Sequence, residues 1–272
     1  MAAAALILRD RRRSMRRHFD EEAPMRNKVA ALAVVSGLAL ASAAFVAPAV
    51  ARMSQVIADA IANPARPTAD KARDALRKPG EVMAFSTIKP GDKVLELLPG
   101  GGYFSRVISG VVGSNGAVLA ASPNLNPDPT KAPQPKPGDP AFPNVTPVLF
   151  GRTGALPGGL DAVFTAQNYH DMHLTRVNLD VIAFDQRLYD ALKPGGVLII
   201  EDHSALPGTD LTVPDQIHRI NEDIVKKEVE SVGFKLEAES DILRNPADTR
   251  TVNPHTMHDQ TDQFLLRFRK PR

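Results

Sequence analysis

Short apolar runs alternate along this chain with amphipathic stretches. From Ser54 to Leu76 the apolar positions Val56, Ile57, Ala60 and Ile61, then Ala69, Ala72, Ala75 and Leu76, recur at helical spacing on either side of Asn63-Pro64. That pattern predicts two short helices. A third is expected around Glu81 to Thr87, ending before the turn residues Lys89-Pro90-Gly91-Asp92. The run from Lys93 to Leu98 reads as a first strand. It breaks into Gly100-Gly101-Gly102 and resumes as a helix from Tyr103 to Val112, with Phe104, Val107, Ile108 and Val111 on one face. Further strands are expected at Gly116 to Ala121, Thr146 to Phe150, Leu160 to Thr165, Val197 to Ile200, Phe234 to Glu239 and, by its alternation, Gln263 to Phe268. Two more helices complete the pattern. One runs from Val181 to Leu192 and stops at Lys193-Pro194-Gly195-Gly196, and one is a single long element from Pro214 to Val232.

Strands separated by helices predict an α/β fold, a doubly wound, mostly parallel, Rossmann-like sheet, in which ligands bind beyond the carboxyl ends of the strands. The break at Pro99-Gly100-Gly101-Gly102 lies at such an end. Glycines let the backbone approach a ligand closely, and the following helix start offers free N–H donors. A nucleotide-like ligand is one reading of this loop, and a plain strand-to-helix turn is the other.

The first 51 residues have a different character. Met25-Arg26-Asn27-Lys28 is a short basic region, Val29 to Val46 is nearly unbroken apolar sequence, and Ala49-Val50-Ala51 offers small residues for a signal peptidase. A leader cleaved after Ala51 and an exported, periplasmic location are expected, with Met25 a possible true start and an uncleaved membrane anchor the alternative. Eight of the 33 basic and four of the 31 acidic residues precede Arg52, which leaves 25 against 27 and removes the basic excess that nucleic-acid binding needs. With no cysteine at all, disulfides, thiolate metal sites and a cysteine nucleophile are excluded. Residues 52–80 read as a helical lead-in and 81–272 as one domain. Its stretch 122–147 holds nine prolines and reads as an extended loop.

Polar residues cluster where strands end. The first strand leads into Glu96 and the glycines, the fourth into Gln167-Asn168-Tyr169-His170-Asp171-Met172-His173, and the fifth into Glu201-Asp202-His203. Val94-Leu95-Glu96-Leu97-Leu98-Pro99-Gly100-Gly101-Gly102-Tyr103, Asp161-Ala162-Val163-Phe164, Leu192-Lys193-Pro194-Gly195-Gly196 and Val232-Gly233-Phe234 resemble the ordered landmarks of class I S-adenosylmethionine-dependent methyltransferases. More narrowly, Asn168 to His173, His218-Arg219 and Ala238 to Pro246 resemble an exported bacterial group of predicted methyltransferases. The resemblance implies a seven-stranded sheet in the order 3-2-1-4-5-7-6 with the last strand antiparallel. It implies S-adenosylmethionine as cofactor, lined by Glu96, Gly100, Gly101, Gly102 and Tyr103, with Gln167 and Asn168 beside the sulfonium. His170 or Asp171 is the expected catalytic base and His203 the second choice, for a small-molecule acceptor. The second strand ends in Ala120-Ala121-Ser122-Pro123, without the acidic residue that commonly holds the ribose hydroxyls in this family.

Three other readings stay open. Six of the seven histidines follow Leu160, and His170, Asp171, His173, Asp202 and His203 offer donors that a metal ion accepts, which would suit a metal-dependent hydrolase or metal-binding protein. A nicotinamide dehydrogenase fits less well, because the same acidic residue is missing. A non-catalytic exported protein on this fold is the third. His255 and His258 are expected in a solvated loop before the last strand.

Overall fold

The computed structural model describes residues 51–124 and 138–272. The expected leader up to residue 50 and the middle of the proline-rich loop, 125–137, lie outside the described residues, and the two ends of that loop belong to β2 and β3. Among the described residues no helix is long and apolar enough to cross a membrane.

Seven strands form one sheet: β1 Lys93–Leu97, β2 Ala117–Pro123, β3 Val145–Phe150, β4 Leu160–Ala166, β5 Leu192–His203, β6 Lys235–Ser240 and β7 Gln263–Arg269. Their order is β3-β2-β1-β4-β5-β7-β6. β1 to β5 pair in parallel, and β7 runs antiparallel to both β5 and β6. This is the order and strand direction that the resemblance to class I methyltransferases implies. All the central strands therefore deliver their carboxyl ends to one edge.

Alternation along each strand sends side chains to two cores. On one face Leu95, Leu97, Val163, Leu198 and Ile200 pack with Phe184 and Leu188 of α6 (Val181–Ala191) and Val225 and Val229 of α8 (Glu222–Ser231). On the other, Val94, Phe164 and Ile199 pack with Val107 and Ile108 of α5 (Tyr103–Val112), with Val82 and Met83 of α4 (Pro79–Ser86), and with Ile57 and Ala60 of a helix over 51–62, here α1. The sharp alternation in β1 places Glu96 on this second face, in step with Val94.

Three elements differ from expectation. The lead-in holds α1 and then two single-turn helices, α2 (Thr68–Lys71) and α3 (Asp74–Arg77), rather than two helices in all. The segment Lys193–Gly196 is not a separate turn but a bulge inside β5, where Leu160 and Ala162 of β4 face Leu192 and Val197. The long helix from Pro214 is broken into α7 (Val213–Ile217) and α8. Between them His218 takes a left-handed φ of 51° and Ile220 pairs with Ser204 as an isolated parallel bridge. Arg219 is wholly buried, bonded to Asp248 at 2.8 Å, to the Ser204 carbonyl at 2.9 Å and to the Val252 carbonyl at 2.8 Å. A buried guanidinium must find such partners, and that demand outweighs helical periodicity. Asn221 then restarts the helix by capping Asp223 N–H at 3.0 Å.

The lead-in is seated by a close approach. A Cβ on Gly110 of α5 would lie 2.6 Å from Ala60 Cβ and 2.9 Å from its Cα. Leucine is a better helix former than glycine by close to 1 kcal/mol, so a net loss of stability in Gly110→Leu reports overpacking against α1. We expect a loss of about 1–3 kcal/mol from the urea midpoint; an unchanged or higher midpoint would show that α1 is not held there.

Candidate functional site

At the end of β1 the backbone turns sharply. Leu98 (φ 54°), Gly100 (φ 53°) and Gly102 (φ 79°) are all left-handed, and α5 starts at Tyr103. The turn is pinned from both neighbouring strands: Leu98 N–H donates to Ala121 O at 2.8 Å, and Leu98 O accepts from Asn168 Nδ2 at 3.0 Å. A Cβ added to Gly100 or Gly101 would meet nothing within 4 Å, so this loop faces open space.

That space is two cavities sharing Pro99, Gly100 and Gly101 as a common wall. One, of about 690 Å³, lies over β1, β4 and β5; the other, of about 350 Å³, lies toward β2 and β3. Of the ten candidate residues, Glu96, Gly100, Gly101, Tyr103, Gln167, Asn168, His170, Asp171 and His203 line the larger cavity, and Gly102 lines the smaller. Five of the nine non-glycine residues with positive φ among the described residues also line the larger one: Leu98, Gln167, His218, His258 and Asp259. Left-handed backbone at bulky residues persists only where surrounding contacts impose it, and it concentrates at functional sites.

His170 begins a 3₁₀ turn (His170–His173) and is held by a single carboxylate. Its backbone N–H donates to Asp202 Oδ2 at 2.7 Å, and its Nδ1 lies 2.8 Å from Asp202 Oδ1. Nδ1 therefore carries a proton toward Asp202, and Nε2 lies 3.5 Å from Asp171 Oδ1 on the cavity side. Burial opposes charging of this ring, but the Asp202 carboxylate outweighs it and raises the pKa above the ordinary imidazole value. His203 has the opposite character. Burial pushes it down to about 3, and its Nδ1 lies 2.8 Å from Thr261 Oγ1, so this imidazole stays neutral at physiological pH.

Charged residues of the lead-in roof the larger cavity. Arg77 stacks over Tyr103 (4.5 Å to the ring centroid) and Phe104 (4.9 Å), with Nη2 3.9 Å from the buried Glu201. Arg73 bonds Asp259 through two contacts of 2.6 Å. Arg106 reaches Asp70 at 2.7 Å and the Gly101 carbonyl at 2.8 Å, and the Tyr103 hydroxyl donates to Asp74 at 2.6 Å. Sequence patterning missed this group. Arg73 and Arg77, four apart, have the spacing of a solvated helix face, and His218 falls within a stretch whose periodicity suggests unbroken helix. His255 and His258 are exposed as expected, yet both line the cavity, and the ring centroids of His255 and His218 are 5.2 Å apart.

No protein-family model matches the chain, and no curated protein does. Among solved structures, an S-adenosylmethionine-dependent methyltransferase from Aquifex aeolicus is 17% identical, with a TM-score of 0.50 over 73% of this chain and 93% of that one. The chain has the class I methyltransferase fold. Similar structures include an S-adenosylmethionine-dependent methyltransferase from Mesorhizobium loti, 15% identical with a TM-score of 0.46 over 71% of this chain and 97% of that one. Fibrillarin from Aeropyrum pernix, with natively bound S-adenosylmethionine, is 12% identical with a TM-score of 0.42 over 69% and 73%.

Glu96 is buried against α5, where it accepts a hydrogen bond from Ser105 Oγ. Burial raises its pKa from 4.5 to about 7, only partly offset by Ser105 and Arg77. Because the folded state keeps this proton up to about pH 7 while the unfolded chain releases it near 4.5, stability falls as pH rises through that window and stays reduced above it. Glu96→Gln is expected to match the wild type near pH 4 and exceed it at pH 8 by up to about 3 kcal/mol. Glu201, raised to about 7 by burial as well, keeps part of the slope in the variant. Parallel stability curves from pH 4 to 8 would rule this account out.

Proposed function

We propose that this chain is an S-adenosylmethionine-dependent methyltransferase acting on a small molecule. The observation that carries the reading is the left-handed glycine loop at the end of β1, open on both sides, in a sheet of the class I methyltransferase order. The residues present fit the cofactor. Gln167 Nε2 is buried on the wall of the larger cavity without a hydrogen-bond partner, and Gly100 and Gly101 present open backbone to both cavities. In this reading Glu96, Gly100, Gly101, Gly102 and Tyr103 surround the methionine and ribose parts, and Gln167 and Asn168 stand beside the sulfonium. The smaller cavity, with Ala120, Phe142 and Val148 in its wall, takes the adenine.

When bound, the cofactor supplies an electrophilic methyl group, so the protein has mainly to align an acceptor and take up its proton. His170, fixed by Asp202, and Asp171 are the groups placed for that; His203, neutral and tied to Thr261, shapes the wall. Asp139 supports the ribose site. In this reading it takes the place of the acidic residue absent from the end of β2, exposed in the wall of the smaller cavity with Oδ1 accepting from Ala141 N–H at 2.9 Å. The exported bacterial subgroup and a periplasmic location remain part of this proposal, supported by the leader pattern before Arg52 and by the motifs at Asn168 to His173 and Ala238 to Pro246.

Calorimetric titration of the full-length chain with S-adenosylmethionine and S-adenosylhomocysteine tests the reading. Micromolar binding is expected, abolished in Gly102→Asp and weakened about fivefold or more in Asp139→Asn, a loss of roughly 1 kcal/mol typical of one hydrogen bond. Absence of binding to the folded wild type would overturn it.

A further inference from the structure

The larger cavity holds a second chemical feature, independent of the glycine loop. His170, Asp171 and His218 each offer one donor atom, and these atoms all lie within 4.8 Å of one another. His170 Nε2 and His218 Nδ1 are each 3.5 Å from Asp171 Oδ1. Those separations are long for hydrogen bonds. They are close to the roughly 3.4 Å that separates donors placed about 2.1 Å from a tetrahedral zinc ion. His218 Nδ1 is buried and has no hydrogen-bond partner, which is costly for an atom that nothing else satisfies.

We propose that His170, Asp171 and His218 form a binding site for one divalent transition-metal ion. Two imidazoles and a carboxylate are the donor types that zinc, iron and cobalt accept. The outer shell is already built. The ring of His170 is oriented by Asp202 through Nδ1 at 2.8 Å, the carboxylate–histidine arrangement that fixes which nitrogen is free for a metal. The left-handed turn at His218, between α7 and α8, brings the third donor from a distant part of the chain. Asp171 is half-buried and sits between the two rings, with Oδ1 3.5 Å from a nitrogen of each.

Three protein donors leave coordination positions for water or substrate, and all three residues line the cavity. With a cation bound, His170 and Asp171 would serve as ligands in place of the proton-accepting role they have in the metal-free site, and the ion would supply acidity to a bound hydroxyl. The acceptor it selects is one with an oxygen anion or a chelating pair. That choice of acceptor rests on the methyl-transfer reading; the metal binding does not.

The test is titration of metal-stripped, full-length chain with Co²⁺, followed by visible absorption, circular dichroism and displacement by Zn²⁺. One equivalent per chain is expected, with affinity lowered about tenfold or more in Asp171→Asn and in His218→Gly, where glycine tolerates the positive φ, and unchanged in His173→Gln, whose Nε2 faces Glu228 at 3.1 Å outside the cluster. Absence of Co²⁺ binding to the folded wild type, or binding that folded His218→Gly retains in full, would overturn the proposal. Cofactor titration of the same samples reads the methyl-transfer proposal separately.

Discussion

Parallel pairing of β1, β4 and β5 is the constraint from which the site follows. Parallel strands must return by crossovers, so they all finish on one edge, and backbone groups leaving that edge have no next strand to pair with. Here the edge residues satisfy one another: Gln167 N–H donates to Glu201 O at 2.7 Å, Leu98 N–H to Ala121 O, and Asn168 Nδ2 to Leu98 O. Each of these bonds ties the end of one strand to its neighbour. The cavity wall is thus an outcome of sheet completion, and the reactive side chains project from it.

Pleat alternation divides the charges of β5 between the two faces. Glu201 falls in step with Ile199, on the face covered by α5, with Arg77 Nη2 at 3.9 Å and no hydrogen-bond partner for its carboxyl oxygens among the described residues. Asp202 falls in step with Ile200 and accepts N–H bonds from His170 and His203, both at 2.7 Å. The consequences for the two carboxyl groups are opposite. Unsatisfied burial raises Glu201 to about 7, whereas the bonds and charge around Asp202 overcome its burial and lower it. One strand therefore ends in a near-neutral acid and a firm anion side by side.

The fold was legible in the sequence because its signals are local. Apolar runs, Pro-Gly turns and the glycine break each act within a few residues, and β1, β4, β7 and α5 lie where those signals put them. The strand-end residues were legible for the same reason, since a parallel sheet converts position in sequence into position on an edge. What periodicity could not reveal depends on partners far along the chain. The kink at His218 is imposed by Arg219 reaching Asp248 and Val252, and the roof depends on Arg73 meeting Asp259, 186 positions away. The bulge in β5 likewise reflects a register set by β4 rather than by Lys193–Gly196 themselves.

The left-handed residues around the larger cavity bear on how the molecule moves. Such residues are held in place by their neighbours, at an intrinsic cost of roughly 1–2 kcal/mol each. Relaxing one requires only that its local contacts loosen, while the sheet beneath stays paired. At the rim formed by Leu98, Gln167, His218, His258 and Asp259, released strain would accordingly offset part of the cost of a local opening, on a faster clock than unfolding. Amide protons along it should exchange through these small openings, and a molecule entering the cavity would pass through the same breathing motion, leaving the two cores undisturbed.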